Sequence, residues 1–264
     1  MTAHSLQRKV WASLAITIVF IAATVLLVSV PASRFTDPAV REYAAGVARV
    51  ILALLVILTI RQRNRGSYAL TSPSPRSWAI VLPVALYSLI VYPLLFTGTL
   101  GLNLSQPNLA AGVAFNGFAA GALEEFVFRG LILSLLLSGN PDEPGNAWNA
   151  ILISALLFSL PHALNLFVGH AEARVLAQLV WSFLLGVVFA CLRISGRSIW
   201  PVAMLHGAMN AFVHVNRIGI EIQPSLLRAA ALAFAPAPLC VYGAMLLRKK
   251  VTHQPENGAN LPLT

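Results

Sequence analysis

The chain has 264 residues, of which 58% are hydrophobic and only 10% are charged, and its mean hydropathy is +0.76. A soluble globular domain carries roughly 25% charged residues, so this composition excludes that class and indicates an integral membrane protein. The formal net charge of +9 does not predict a nucleic-acid partner, because no basic run interleaved with aromatic residues lies outside the apolar segments. Basic residues that flank apolar segments instead favour contact with a lipid bilayer.

The hydrophobic residues form eight segments long enough to cross a bilayer, which takes about 20 residues of helix. This pattern predicts an all-α, polytopic membrane helical bundle. In chain order the segments are 10–30, 43–60, 78–97, 109–137, 148–168, 175–194, 199–215 and 226–247. The first segment has the alternative of a signal peptide, since Val30-Pro31-Ala32 resembles a cleavage site. Its apolar run exceeds the roughly 7–15 residues of such peptides, so we predict a retained span.

Lysine and arginine predict the orientation, because they accumulate in cytoplasmic loops. With both termini inside, eleven fall in inner loops and tails and five in outer loops. One inner loop, 138–147, departs from the pattern because it holds Asp142, Glu143 and no basic residue. We predict three N-terminal helices over 1–108, a core over 109–215, a last helix over 216–250 and a disordered polar tail over 251–264.

The fourth segment carries three charges, Glu124, Glu125 and Arg129, within one and a half helical turns. An unpaired charge near the centre of a bilayer costs about 3 kcal/mol on the lenient scale, so such residues pair, face water or do chemistry. Glu125 and Arg129 have the i,i+4 spacing of an ion pair. We therefore predict that this pair fixes the helix while Glu124 faces a cavity. The alternative is a purely structural polar contact between helices.

The fifth segment contains Pro161 followed by His162, with Asn165 one turn later. Proline removes a helical hydrogen bond and kinks a helix, which opens space beside the histidine. Asn165 is predicted to orient His162. Taken alone, His162 is equally compatible with a satisfied interior histidine.

The seventh segment contains His206 and Asn210, which the i,i+4 spacing places on one face with small residues between them. Small residues allow a second helix to approach closely. His214 lies further towards the outer end and is predicted to be an interface residue. Three segments thus each supply one polar cluster, and a shared pocket explains all of them.

Four further residues have weaker predictions. Arg49 is expected to snorkel or pair, and Asn116, two turns before Glu124, is expected to line the same cavity. Cys191 and Cys240 both lie in apolar segments and are predicted to act as small apolar side chains without a disulfide.

The three motifs together, Glu-Glu-x-x-x-Arg, Phe-x-x-x-His and His-x-x-x-Asn, resemble those of the CAAX-protease and bacteriocin-processing (CPBP) family of intramembrane endopeptidases. The resemblance covers about residues 109–215. It implies that Glu124 and His162 activate a water molecule and that His206 and Asn210 stabilise the oxyanion. Glu125 and Arg129 are implied to support the site.

Metal dependence is left open by the resemblance. We favour a metal-free site without a cofactor, in which Glu124 activates water. In the alternative, Glu124, His162 and His206 supply three ligands to Zn²⁺, with water as the fourth. The sequence lacks the His-Glu-x-x-His pattern of many zinc proteases.

Three function classes compete at this stage. The first is an intramembrane endopeptidase acting on a peptide or protein at the membrane. The second is a non-catalytic immunity or scaffold protein that binds a peptide or signalling partner. The third is a transporter, which predicts inverted repeats that this sequence does not show. The complete set of motifs favours catalysis, and the short loops favour a prokaryotic inner membrane.

Overall fold

A computed structural model describes residues 3–63, 68–98, 100–138, 144–167, 169, 171–219 and 225–252. Within these ranges the chain is helical and contains no strand, which confirms the predicted all-α membrane bundle. The polar tail beyond residue 252 lies outside the described residues.

Twelve α-helices occur in the described part of the chain, several of them joined end to end by π or 3-10 turns. They are α1 Ala3–Ala23, α2 Val30–Ala32, α3 Pro38–Arg63, α4 Pro75–Ala79, α5 Leu82–Thr97, α6 Pro107–Glu125, α7 Leu133–Leu137, α8 Pro144–Ser159, α9 Glu172–Gly196, α10 Trp200–Asn216, α11 Leu226–Phe234 and α12 Ala237–Thr252. The π segments are Thr24–Ser29 and Phe126–Ile132, and the 3-10 segments are Tyr68–Leu70 and Leu160–Leu166.

Prolines account for two breaks within predicted spans. Pro83 is the second residue of α5, which follows the short α4, and Pro236 separates α11 from α12. A proline has no N–H to donate and its ring clashes with the preceding turn, so a helix often ends before one.

Six helical stretches in the described part of the chain are long and apolar enough to cross a membrane. They are His4–Ala32, Pro38–Gln62, Pro75–Leu95, Asn146–Leu166, Glu172–Gly196 and Leu226–Arg248. The two predicted spans outside this set are those that carry Glu124 and His206. α10 has 17 residues and is about 25 Å long, shorter than the roughly 30 Å hydrocarbon layer. The count of eight spans and the orientation remain predictions.

The helices that carry the charged motifs pack directly on each other. α6 lies between α3 and α10, and Gly121 is at the contact with α10. A Cβ atom added to Gly121 would lie 2.8 Å from the carbonyl carbon and oxygen of His206. Only a glycine permits this approach without a backbone shift, and it brings the turn of Glu124 against the turn of His206.

The helix of the charged motif changes its hydrogen bonding within the motif. α6 ends at Glu125, and a π segment runs from Phe126 to Ile132 before α7. Such π segments frequently occur at functional sites. The sequence predicted one regular helix here, because residue periodicity does not reveal a local switch to i→i+5 bonding.

Candidate active site

A completely buried ion pair lies at the bottom of the site, beneath the cavity. Arg129 Nη1 donates to Glu125 Oε1 at 2.9 Å, and neither side chain is exposed to solvent. The pair is the one predicted from the i,i+4 spacing. His206 Nδ1 lies 2.9 Å from the same Glu125 oxygen. This carboxylate therefore also connects α6 to α10.

The hydrogen bond to Glu125 fixes the orientation of the His206 ring. An ionised carboxylate only accepts hydrogen bonds, so Nδ1 is the donor in this contact. The other ring nitrogen, Nε2, lies 3.6 Å from Glu124 Oε2. His206 is therefore held between two adjacent glutamates, with Nε2 directed to the one that is open to the cavity.

Glu124 differs from Glu125 in its access to solvent. The Glu124 side chain is 23% exposed, whereas that of Glu125 is 0% exposed. The exposed part of Glu124 lines a cavity of about 280 Å³. This separation of one buried and one accessible carboxylate matches the predicted division between Glu125 and Glu124.

Two phenylalanine rings enclose the buried charges. Phe158 stacks edge-on with His206 at 5.8 Å and with His162 at 5.6 Å between ring centroids. Its face also lies 4.1 Å from the guanidinium carbon of Arg129. A cation over an aromatic face is stabilised by the ring quadrupole. Phe189 packs on the other side, 5.1 Å from the His206 ring.

The cavity brings together the four residues predicted to act in chemistry, Glu124, His162, His206 and Asn210. They come from α6, the 3-10 segment after α8, and α10. Glu125 and Arg129 do not line the cavity and lie behind it. The remaining wall is formed by Arg49, Tyr92, Ala120, Phe158, Arg174, Ala177, Gln178, Trp181, Met209, Val213, His214, Arg217, Ala229 and Leu232.

His162 does not lie in a kinked α-helix as expected. α8 ends at Ser159, and a 3-10 segment, Leu160–Leu166, follows it. His162 Nδ1 is 3.2 Å from the Ser159 carbonyl oxygen. The prediction that Asn165 orients His162 is wrong, because Asn165 donates to Gln178 Oε1 at 2.8 Å.

Two further expectations require correction. Asn116 does not line the cavity, because its amide group is bound between Arg49 and Glu42. His214, predicted to be an interface residue, forms part of the cavity wall.

Arg49 joins the site from α3. It donates to Asn116 Oδ1, and Asn116 Nδ2 donates to Glu42 Oε2 at 2.6 Å. Arg49 also lines the cavity and interacts electrostatically with Glu124. Arg49 was expected to snorkel or to pair, and the structure shows a hydrogen bond to a bridging amide on α6.

A family model described as type II CAAX prenyl endopeptidase Rce1-like matches residues 106–212. We refer to residues 106–212 as the Rce1-like segment. The match confirms the resemblance drawn from the three motifs, and it includes every residue predicted to act in the site. No curated protein matches the chain.

The Rce1-like segment does not contain the whole cavity. Arg49, Tyr92 and Arg217 line it from outside residues 106–212, and Glu42 supports Arg49 from α3. The six apolar helical stretches and the match of residues 106–212 to a family of CAAX prenyl endopeptidases identify the chain as an integral membrane protein.

Sequence reasoning missed Glu42, Phe189, Arg174 and Arg217. Glu42 precedes Arg49 by seven residues, two helical turns on one face, and that spacing was the available signal. Arg174 and Arg217 were counted only as loop charges, although both line the cavity. Nothing in the sequence distinguished Phe189, because aromatic residues are common in apolar helices.

The side chains do not fit the alternative zinc site. Among the described residues, no three His, Cys, Asp or Glu side chains are grouped so that they could hold a metal ion. The contacts of Nδ1 of His206 with Glu125 and of Nδ1 of His162 with a backbone carbonyl do not decide the question, because metal-binding histidines make such contacts with the nitrogen that is not a ligand. Because no such group exists among the described residues, we derive no step through a metal.

Proposed function

We propose that the chain is an intramembrane endopeptidase, which hydrolyses a peptide bond of a membrane-associated protein or peptide. One observation carries this proposal: Glu124, His162, His206 and Asn210, from three helical elements, line one cavity. The Rce1-like family whose model matches this segment is a family of endopeptidases. A pure peptide-binding protein does not require this combination of a carboxylate, two imidazoles and a carboxamide.

In the proposed reaction Glu124 is the general base, acting together with His162. Its partly exposed carboxylate accepts a proton from a water molecule in the cavity, and the resulting hydroxide attacks the substrate carbonyl carbon. General-base catalysis of this kind contributes about 10²–10⁴-fold. The proton then passes to the leaving nitrogen as the C–N bond breaks, so that a carboxylic acid and an amine are released.

His206 and Asn210 are proposed to stabilise the oxyanion. The Asn210 amide is a donor on the cavity wall. When both ring nitrogens of His206 are protonated, Nε2–H donates into the cavity while Nδ1–H remains bound to Glu125. Loss of one such donor typically costs about 3 kcal/mol of barrier.

Glu125 and Arg129 are proposed to position His206 and not to contact substrate. Both are fully buried, and Glu125 binds the ring nitrogen that points away from the cavity. A fixed ring orientation keeps a donor at the place where negative charge develops, which lowers the reorganisation needed in the transition state.

We place the enzyme in a prokaryotic inner membrane, because the connections between spans are short and no polar block of domain size occurs.

The substrate must reach a cavity below the membrane surface, so the proposed reaction needs a water-filled opening between helices.

The proposal is tested with purified protein in vesicles and a panel of membrane peptides, with and without a prenyl group. Glu124→Gln preserves the size of the side chain and removes the base. We expect it to abolish cleavage while the protein still inserts and unfolds at the same temperature. Glu172→Gln is the matched control, because Glu172 is exposed and does not line the cavity. Full turnover by the Glu124→Gln protein would reject the assignment.

The natural substrate can be sought in the same way. Membrane proteomics of cells with the wild-type protein is compared with cells carrying Glu124→Gln. A peptide or protein that accumulates uncleaved only in the variant is the expected result.

A further inference from the structure

His162, which is proposed to act together with Glu124, lies on an element that has no buried residue. This element is the 3-10 segment Leu160–Leu166. α8, which precedes it, is packed tightly on α9, because a Cβ atom added to Gly186 of α9 would lie 3.0 Å from Ala155 of α8. Close packing therefore fixes α8 but does not fix the turn of His162 that follows it.

The backbone of the segment gives limited support. A 3-10 helix has poorer hydrogen-bond geometry than an α-helix, and runs longer than roughly three or four residues are uncommon. This segment has seven residues, and its second residue, Pro161, has no N–H to donate. Its position must therefore be fixed by side-chain contacts.

One side-chain hydrogen bond joins the segment to a neighbouring helix. Asn165 Nδ2 donates to Gln178 Oε1 of α9 at 2.8 Å. Within the described part of the chain, no other side chain of Leu160–Leu166 forms a hydrogen bond beyond the segment and the adjoining end of α8. The position of the segment relative to α9 thus depends on Gln178.

The hydrogen bond to Gln178 acts on the turn that carries His162. A 3-10 helix has three residues per turn, so side chains three residues apart are aligned, and Asn165 follows His162 by three residues. Asn165 forms no hydrogen bond with the His162 ring, whose rotation is set by the Ser159 carbonyl and by Phe158 at 5.6 Å. The bond to Gln178 instead sets where the turn lies.

α9 also contacts the second histidine of the site. Phe189 lies eleven residues after Gln178, about three helical turns, so both side chains are on one face of α9. The Phe189 ring is 5.1 Å from the His206 ring. Every residue from Leu185 to Ser195 is buried, which makes this part of α9 a fixed support. One helix therefore holds the elements of both histidines at a constant separation.

We infer that Gln178 is a positioning residue for His162, which it holds beside Glu124 through the hydrogen bond with Asn165. This inference rests on the proposed peptidase function and adds a residue to its machinery. A general base and its partner must lie within hydrogen-bond reach of the same water molecule. A turn without buried side chains does not maintain that geometry alone, and the bond to α9 supplies the missing constraint.

The first test removes the acceptor. Gln178→Leu has a side chain of similar size that cannot bind Asn165. We expect kcat in the vesicle assay to fall about tenfold to a hundredfold, because a displacement of about 1 Å in a catalytic group can cost 10²-fold. KM should change little, and the unfolding temperature should stay the same because Gln178 is only half-buried.

A second variant separates positioning from substrate contact. Gln178 lines the cavity, whereas Asn165 does not. Asn165→Leu should therefore lower kcat by the same factor, and the double variant Asn165→Leu, Gln178→Leu should show no further decrease, because all three remove one bond. Asn103→Leu is the matched control. It removes a bond of the same length, 2.8 Å, to the Ile218 carbonyl, and Asn103 does not line the cavity.

Conservative variants test whether the bond itself matters. Gln178→Glu keeps an oxygen that accepts from Asn165 Nδ2 and should retain most of the wild-type kcat. The exchanged pair Asn165→Gln, Gln178→Asn has the same combined number of methylene groups and can form the same amide–amide bond. It should recover a large part of the kcat that either leucine variant loses. A residue that only stabilises the fold would not produce this recovery at an unchanged unfolding temperature.

Several outcomes would overturn the inference and leave the peptidase intact. One is a kcat of Asn165→Leu equal to that of the wild-type protein. Another is a higher KM with unchanged kcat in Gln178→Leu, which would show that the glutamine binds substrate. A third is a decrease in kcat that follows a lower unfolding temperature and is not recovered by the exchanged pair.

A measurement without turnover keeps the two proposals separate. If the wild-type protein cleaves no peptide, the peptidase proposal fails. The position of His162 is then followed by nuclear magnetic resonance of protein with isotopically labelled histidine, in which the His162 signal is assigned by its loss in His162→Gln. Gln178→Leu should shift or broaden this signal, whereas Asn103→Leu should not. An unchanged His162 signal in Gln178→Leu would overturn the positioning role.

Discussion

Glu125 Oε1 lies 2.9 Å from His206 Nδ1, and this contact connects α6 and α10 through a carboxylate with no solvent exposure. The same oxygen accepts the bond from Arg129. The contact between these helices and the orientation of His206 therefore depend on one buried oxygen atom.

Replacement of Arg129 should destabilise the protein strongly. Arg129→Met leaves Glu125 buried without its cation, and breaking such a pair costs about 3–5 kcal/mol. We expect a lower unfolding temperature in detergent, together with loss of activity. The double variant Glu125→Gln, Arg129→Met removes both charges and should recover part of the stability but not the activity. An unchanged unfolding temperature of Arg129→Met would contradict the structural role of the pair.

Replacement of Asn210 should lower the catalytic rate without lowering the stability of the protein. Asn210→Ala removes a proposed oxyanion donor, so kcat should fall about 10²–10³-fold, as for other donors of this type. Because Asn210 is only half-buried, the unfolding temperature should change little. Met204→Ala, an exposed position of the same helix, serves as the control. A parallel loss of stability and activity would show that Asn210 has a packing role.

Arg49 should influence Glu124 from outside the Rce1-like segment. Arg49→Gln removes a cation that interacts with Glu124, and we expect kcat to fall about tenfold, or about 1.4 kcal/mol of barrier, with a smaller change in KM. Arg49→Lys should retain most of the activity. Arg41→Gln is matched to it, because Arg41 is on the same helix but binds the Phe35 carbonyl away from the cavity. An equal decrease in kcat in Arg49→Gln and Arg41→Gln would contradict a specific effect of Arg49 on Glu124.

Gly121 should tolerate no side chain. Gly121→Ala places a carbon atom 2.8 Å from the backbone of His206, and overpacking of this kind costs about 1–3 kcal/mol. The intrinsic helix propensity of alanine offsets up to about 1 kcal/mol. We therefore expect a modestly lower unfolding temperature and a larger loss of activity, because α6 and α10 must separate. Ala111→Ser adds one atom on the exposed face of α6 and should be neutral in both assays.

Removal of metal should leave the activity unchanged under the metal-free mechanism. The measurement is turnover after exhaustive chelation, combined with elemental analysis of active protein. Stoichiometric zinc together with turnover that is lost on chelation and restored by zinc would establish the alternative mechanism.

The sequence was most informative about single helices. The i,i+4 spacing of Glu125 and Arg129 predicted their ion pair, because periodicity states which residues share a face of one helix. The long apolar segments predicted the membrane bundle, because about 20 apolar residues of helix cross a bilayer. Three scattered polar clusters also predicted a common cavity, since isolated charges in a membrane are costly.

Relations between helices were largely beyond prediction. Asn116 was expected in the cavity but binds Arg49 and Glu42, because the rotation of α6 relative to α3 decides which way its amide points. Asn165 binds Gln178 on α9 instead of orienting His162. The π segment after Glu125 changes the angular positions of the residues that follow it, and no residue type in the sequence announces it.

The position of Arg49 limits which segments can be exchanged between related proteins without loss of activity. Its helix lies before residue 106, where the Rce1-like match begins, yet the guanidinium shares the cavity with Glu124. A chimera that transplants only residues 106–212 onto foreign N-terminal spans would keep every motif and lose this cation. Such a hybrid should fold around the same glutamates and still cleave poorly until Glu42 and Arg49 are grafted with it.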